Sequence, residues 1–317
     1  MCLAAATVAA ISGGCGHVKT THTLAAAQKV VVQDATREEL VEKYNAVAQG
    51  VQTVNATVQF KATTGSQYSG VIEDYHEVKA FLLAARPAYI RVIGQAPVIG
   101  KTIFDMASDG ETFQVSIPSK NKFLVGPVAG ERSSAKPIEN LRPQHLLDAI
   151  LWSEIRKPET VLFEEFNDET ARYYILTVLR GGYQTEILRK VWFNRADLQV
   201  SRLENFGPQG VLLSDVRYSD WEPVSVGQGP ATQLAASPGQ ARQTPGNATP
   251  GGPSLPSDVA GFPRTIRIDR PHDDYSLGLQ ITKLSLNEQL PPDRFKLEQP
   301  PGSELVRVGE DSGDKPK

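Results

Sequence analysis

The chain has 317 residues, enough for one large domain or two ordinary ones. With 22% charged residues and a formal net charge of -3 it lacks the basic excess that a nucleic-acid-binding surface needs. Its 2 cysteines, Cys2 and Cys15, exclude the disulfide framework of a small exported protein.

Met1 to Gly14 carries no charge, and Cys2 to Ile11 is nearly all apolar or small. The run is shorter than the roughly 20 apolar residues of a membrane span and reads as a signal-peptide apolar region. Ser12-Gly13-Gly14-Cys15 resembles a bacterial lipobox, which predicts lipid attachment at Cys15. The plainer reading is a cleaved signal peptide with an incidental cysteine. Residues 1–15 are therefore expected to be a signal peptide ending in the lipobox cysteine, and the polar stretch 16–35 a tether.

Thr36-Arg37-Glu38-Glu39 is a capping box, and Leu40, Tyr44, Val47, Val51 and Val54 follow at helical spacing. Val54, Ala56, Val58, Phe60 and Ala62 then alternate as a strand, and Val71 to Ala84 reads as a long second one with Leu82 on its apolar face. Arg86-Pro87 opens a strand from Tyr89 to Ile93, carrying Ile90 and Val92. An apolar loop with Val98 and Ile99 leads to a strand over Thr102 to Ala107. Asp109-Gly110 predicts a type I′ hairpin into Thr112 to Ile117, whose Phe113, Val115 and Ile117 share one face. After Lys122 to Val125, Pro143 starts a second amphipathic helix, and strands resume from Thr160 to Trp221.

Pro223 to Pro263 is dense in Pro, Gly, Ala, Ser and Gln and buries too little apolar surface to offset its chain entropy. Strands at Arg264 to Ile268 and Leu277 to Leu286 are too few to fold alone. The stretch 223–263 therefore reads as a disordered insertion within one domain spanning 36–309, and 310–317 as a fraying tail. The expected architecture is mainly β: an unclosed antiparallel half-barrel of about eleven strands, lidded by α-helices.

Arg86-Pro87, Ser108-Asp109-Gly110-Glu111-Thr112 with Pro118, and Asp293-Arg294-Phe295 with Pro301-Gly302 resemble, in order and spacing, marks of the LolA/LolB lipoprotein-carrier superfamily. The resemblance runs from the Thr36 helix to the last strand. It implies an apolar cavity for acyl chains such as palmitate, lined here by Val58, Phe60, Leu82, Ile90, Val92, Phe113, Val115 and Ile117. It implies that Arg86 bonds the lid and gates it, and that Val98 and Ile99 form a protruding apolar loop that touches membrane or cargo. It also implies a lipid-anchored place on the periplasmic side of the outer membrane and a periplasmic or inner-membrane protein as donor.

Catalytic signatures are missing from this reading. The five histidines have no metal-ligand spacing. Ser119-Lys120-Asn121-Lys122 and Ser133-Ser134-Ala135-Lys136 match Ser-x-x-Lys but lie in turns or loops, not at helix starts. No nucleotide, cofactor or metal motif is present. The expectation is a non-enzymatic carrier. The alternative is an accessory envelope lipoprotein whose half-barrel is filled by its own side chains and whose insertion docks a partner.

Overall fold

The computed structural model describes residues 31–66, 70–97, 99–129, 140–168, 171–224 and 260–308. Helix α1 (Arg37–Gly50) starts as the capping box requires. The Thr36 hydroxyl accepts from the Glu39 N–H at 3.3 Å, and the Glu39 carboxylate accepts from the Thr36 N–H at 2.7 Å. Strands β1 (Thr53–Ser66), β2 (Val71–Asp74), β3 (Val78–Ala85), β4 (Tyr89–Gln95), β5 (Thr102–Ser108), β6 (Thr112–Ile117) and β7 (Lys122–Pro127) follow. Helix α2 (Pro143–Ile150) comes next, with Pro143 in its first turn. The second half holds β8 (Thr160–Asn167), β9 (Arg172–Arg180), β10 (Glu186–Asn194), β11 (Gln199–Phe206), β12 (Leu212–Val224), β13 (Ala260–Arg270), β14 (Tyr275–Leu286) and β15 (Glu304–Arg307).

All the strands join one open sheet in the order β15-β7-β6-β5-β4-β3-β1-β14-β13-β12-β11-β10-β9-β8, with β2 on the end of β1. Two meanders, each preceded by a helix, meet where β1 pairs β14 from Val54↔Leu286 to Thr64↔Tyr275. The 15 described strands exceed the eleven expected. The long second strand divides: β3 pairs the first part of β1 and β2 its far end, with Tyr75-His76-Glu77 between them. Asp293-Arg294-Phe295 is a 3-10 turn and no strand; the closing strand is β15, which pairs β7 in parallel, against the all-antiparallel expectation.

The turn at Asp109-Gly110 is also not type I′. Gly110 has φ 96, but Asp109 acts through its side chain, Oδ1 accepting from the N–H of Glu111 at 2.9 Å and of Thr112 at 2.8 Å. This side-chain turn closes a longer loop. β12 and β13 pair out to Val224↔Ala260, past the expected margins of the insertion, and 225–259 lie outside the described residues. At the other end Gln33 and Asp34, expected in the tether, are tied to the turn after β10: Arg195 donates to Asp34 Oδ1 at 2.7 Å, and the Gln33 N–H to the Arg195 carbonyl at 2.8 Å.

One core fills the inside of the curve. β1 buries Val54, Ala56, Val58, Phe60 and Ala62 in strict alternation, so the pleat aims them at one face. Leu40, Tyr44 and Ala48, four residues apart on α1, and Leu146, Leu147 and Ile150 of α2 cover them. A small second core on the outer face joins Leu83, Ala85 and Phe295. No described helix is long and apolar enough to cross a membrane.

Candidate ligand cavity and its latch

Arg86 leaves the end of β3 and reaches both helices. Its Nε donates to the Val51 carbonyl at 3.0 Å, and Nη2 donates to the carbonyls of Ala48 at 2.6 Å and Trp152 at 2.8 Å. Ala48 and Val51 end α1, and Trp152 lies just past the end of α2. The last carbonyls of a helix have no partner in the helix itself, and the planar guanidinium can serve several of them at once. One side chain thus latches two helix ends to the sheet.

Beside the latch sits an aromatic cluster. Trp152 stacks on Tyr44 with centroids 5.3 Å apart and meets Tyr218 edge-on at 5.3 Å and Trp221 at 6.1 Å. Its indole N–H donates to the Ala149 carbonyl and the Tyr218 hydroxyl. Burial pushes the Tyr44 phenol up to about 12, so its O–H stays a donor, here to the Ser153 carbonyl at 3.0 Å.

The eight apolar residues expected to line a cavity divide in the structure. Val58, Phe60, Leu82, Ile90 and Val92 are packed under the helices at 0–4% exposure, and Val115 packs against them half-buried. Phe113 is buried with the Arg142 guanidinium 4.4 Å over its ring, and Ile117 is half-buried at the strand end. The clean alternation expected on β6 fails at Ser116, which is buried. Ser116 stands opposite Asp105, and that outer face is covered where Arg91 grips Asp105 and the carbonyls of Arg294 and Lys296. Val98 lies outside the described residues, as does Cys15. Ile99 is 73% exposed at the tip between β4 and β5.

The open volume lies next to this core. A cavity of about 640 Å³ is bounded by Tyr44 of α1, Arg86 and Pro87, His145 and Asp148 of α2, the 153–159 loop, and the inner face of β9 to β13. Asp148 is exposed in area yet enclosed by protein, because what it faces is this cavity; burial pushes its carboxyl pKa up. Arg189 is 8% exposed and donates through Nη2 to the Glu154 carbonyl at 2.7 Å and the Glu159 carboxylate at 3.0 Å. Its Nε–H has no partner. Of the site residues expected from the sequence, Arg86 is the one that borders this cavity; Arg189, His145, Asp148 and Arg270 were not among them. Arg189 was legible in principle, since it is in phase with the inward-facing Val191 and Phe193. His145 was not, because its hydrogen-bond partner is the Tyr275 hydroxyl, far along the chain.

Burial, reinforced by the Arg270 charge, pushes the His145 pKa from 6.5 down to about 3, although Asp273 opposes this. Between those values the unfolded chain binds a proton that the folded chain refuses, so stability falls as pH drops below 6.5. The expected loss is at most about 2 kcal/mol at pH 5. Asp148, with its raised pKa, acts in the opposite sense. Urea unfolding of wild type and His145→Gln at pH 7 and pH 5 isolates the histidine: the wild type should lose more stability on acidification than the variant. An equal loss would show that His145 does not set the acid sensitivity.

No family model matches this chain. No curated protein matches it either. Among solved structures the open sheet under its helices is similar to a LolA superfamily protein from Nitrosomonas europaea, at 12% identity and TM-score 0.44, over 83% of this chain and 99% of that one. An outer membrane lipoprotein-sorting protein domain from Vibrio parahaemolyticus matches at 12% identity and TM-score 0.42, over 82% and 97%. A DUF1329 family protein from Desulfovibrio piger matches at 12% identity and TM-score 0.43, over 82% and 96%.

Proposed function

We propose that this chain is a non-enzymatic carrier that takes up acyl chains of lipids or lipoproteins inside its half-barrel and passes them on. The latch supports this role: Arg86 ties the ends of both covering helices to the rim of an unclosed sheet. Opening that latch exposes the apolar inner face, and closing it expels what lies there. Each CH₂ shielded from water is worth about 0.8 kcal/mol, so a long chain crosses an aqueous space only under cover. The packed state of Val58, Phe60 and Leu82 is, on this reading, the emptied and closed one. Cys15 is the lipid anchor, the outer membrane the place of work, Val98 and Ile99 the membrane- or cargo-touching tip, and a periplasmic or inner-membrane protein the donor.

The same packed core favours a second reading, an accessory envelope protein whose half-barrel is filled by its own side chains. One experiment separates the two. The Cys15→Ala form, expected in the soluble fraction, is purified without detergent, and its bound lipid is identified by mass spectrometry. Stoichiometric acyl lipid supports the carrier. A lipid-free protein that takes up no fluorescent fatty acid overturns it, and a Cys15→Ala form still bound to membranes overturns the anchor.

A further inference from the structure

Arg189 borders the cavity, and its Nε–H is a buried donor without a partner. A buried polar group left unpaired is costly, and native proteins rarely leave one so. Around it the charge is uneven. Arg86, Arg156, Arg180, Arg189 and Arg270 border the cavity against Asp148, Glu154 and Glu159. Glu159 engages Arg189 at 3.0 Å, Glu154 engages Arg156 at 3.2 Å, and Asp273, outside the lining, holds Arg270 at 2.7 Å, which leaves Arg86 and Arg180 as the cations without a close carboxylate. Arg180 stands 66% exposed, its nearest acid, Glu186, at 3.9 Å. The strands that carry the lining add Leu188, Leu203, Phe206 and Leu213 to it, together with Asn205 and Ser214.

A donor that wants an oxyanion, in a polar cavity with four apolar side chains in its lining, fits an anionic amphiphile. Resting on the carrier reading above, we propose that this cavity is a headgroup site for a single-chain anionic amphiphile. The carboxylate or phosphate accepts from Arg189 Nε, and the chain lies along Leu203, Phe206 and Leu213 toward the packed core. Hydrogen bonds to charged partners are about twice as strong as neutral ones. The volume of about 640 Å³ lies in the range of small-molecule sites. The head thus selects cargo by charge, which the apolar interior cannot do.

The test compares cis-parinaric acid with its methyl ester by fluorescence titration of the full chain. In wild type the acid should bind about tenfold more tightly than the ester. Arg189→Met should bring the two together. Because Arg189 also holds Glu154 and Glu159, Arg180→Gln at the mouth serves as a second variant, expected to narrow the ratio about twofold by weaker attraction. Displacement of the acid by palmitate or by lysophosphatidic acid supports the site, and their order tells carboxylate from phosphate. Equal binding of acid and ester in wild type overturns the headgroup site and leaves the carrier standing. A ratio unchanged in both variants overturns it too, as does displacement by inorganic phosphate at the concentration at which palmitate acts. Binding of neither probe takes the carrier reading down as well.

Discussion

Replacing Arg86 with leucine is expected to loosen both helices at once and to slow the release of cargo. The variant strips acceptors of Ala48, Val51 and Trp152 of their shared donor. A hydrogen bond to a charged donor is worth roughly 1.5–3 kcal/mol. Since Arg86 is only half-buried, the loss is set near the lower figure, about tenfold in a lid equilibrium. Hydrogen exchange should rise in the last turn of α1 and just past α2, while the strands of the sheet keep their protection. If closing the lid expels the acyl chain, transfer of a fluorescent fatty acid from the loaded protein to liposomes slows in Arg86→Leu. Arg86→Lys should fall between, because one ammonium cannot reproduce the fork. Equal transfer rates in all three forms would falsify the gating role and leave Arg86 as a structural clamp.

Trp152→Ala is expected to cost more stability than any other single change considered, about 3–5 kcal/mol. Its ring is 4% exposed and touches α1 through Tyr44 and the sheet through Tyr218 and Trp221. Trp152→Phe keeps an aromatic face but loses the N–H to Ala149 and Tyr218. Tyr218 still donates to the Ala149 carbonyl at 2.8 Å, so that variant should lose only about 1–2 kcal/mol. Urea denaturation of the three proteins checks the order, and a Phe variant as weak as the Ala one would mean that the polar contacts dominate.

Local rules carried much of the architecture. The capping box placed the start of α1, and the alternation in Val54 to Ala62 set the inward face of β1. Arg86 was legible because a residue before proline is held extended at a strand end, within reach of free helix carbonyls. What the sequence hid depends on distant partners. The division of Val71 to Ala84 is imposed by β1, whose two parts hold different neighbours. Ser116 reads as an outward polar residue until the segment around Lys296 covers that face. The parallel edge strand β15 is four residues long and has no alternation to announce it. The cavity is assembled from both meanders, so no window of the sequence contains it.

The meeting of β1 and β14 fixes the order in which the molecule can be made. Gln52 and Asn287, hydrogen-bonded at 2.7 Å beside that seam, are 235 residues apart in the chain. The first meander can build outward from β1 as it is synthesised, but the other side of β1 stays empty until nearly the last strand exists. For that interval the middle of the future sheet is an edge, with unpaired backbone donors and acceptors from Val54 to Thr64 flanked by Val, Ala and Phe. Contacts so distant in sequence form slowly. Until that seam forms, the unpaired edge is a template for strand pairing with another copy of the chain.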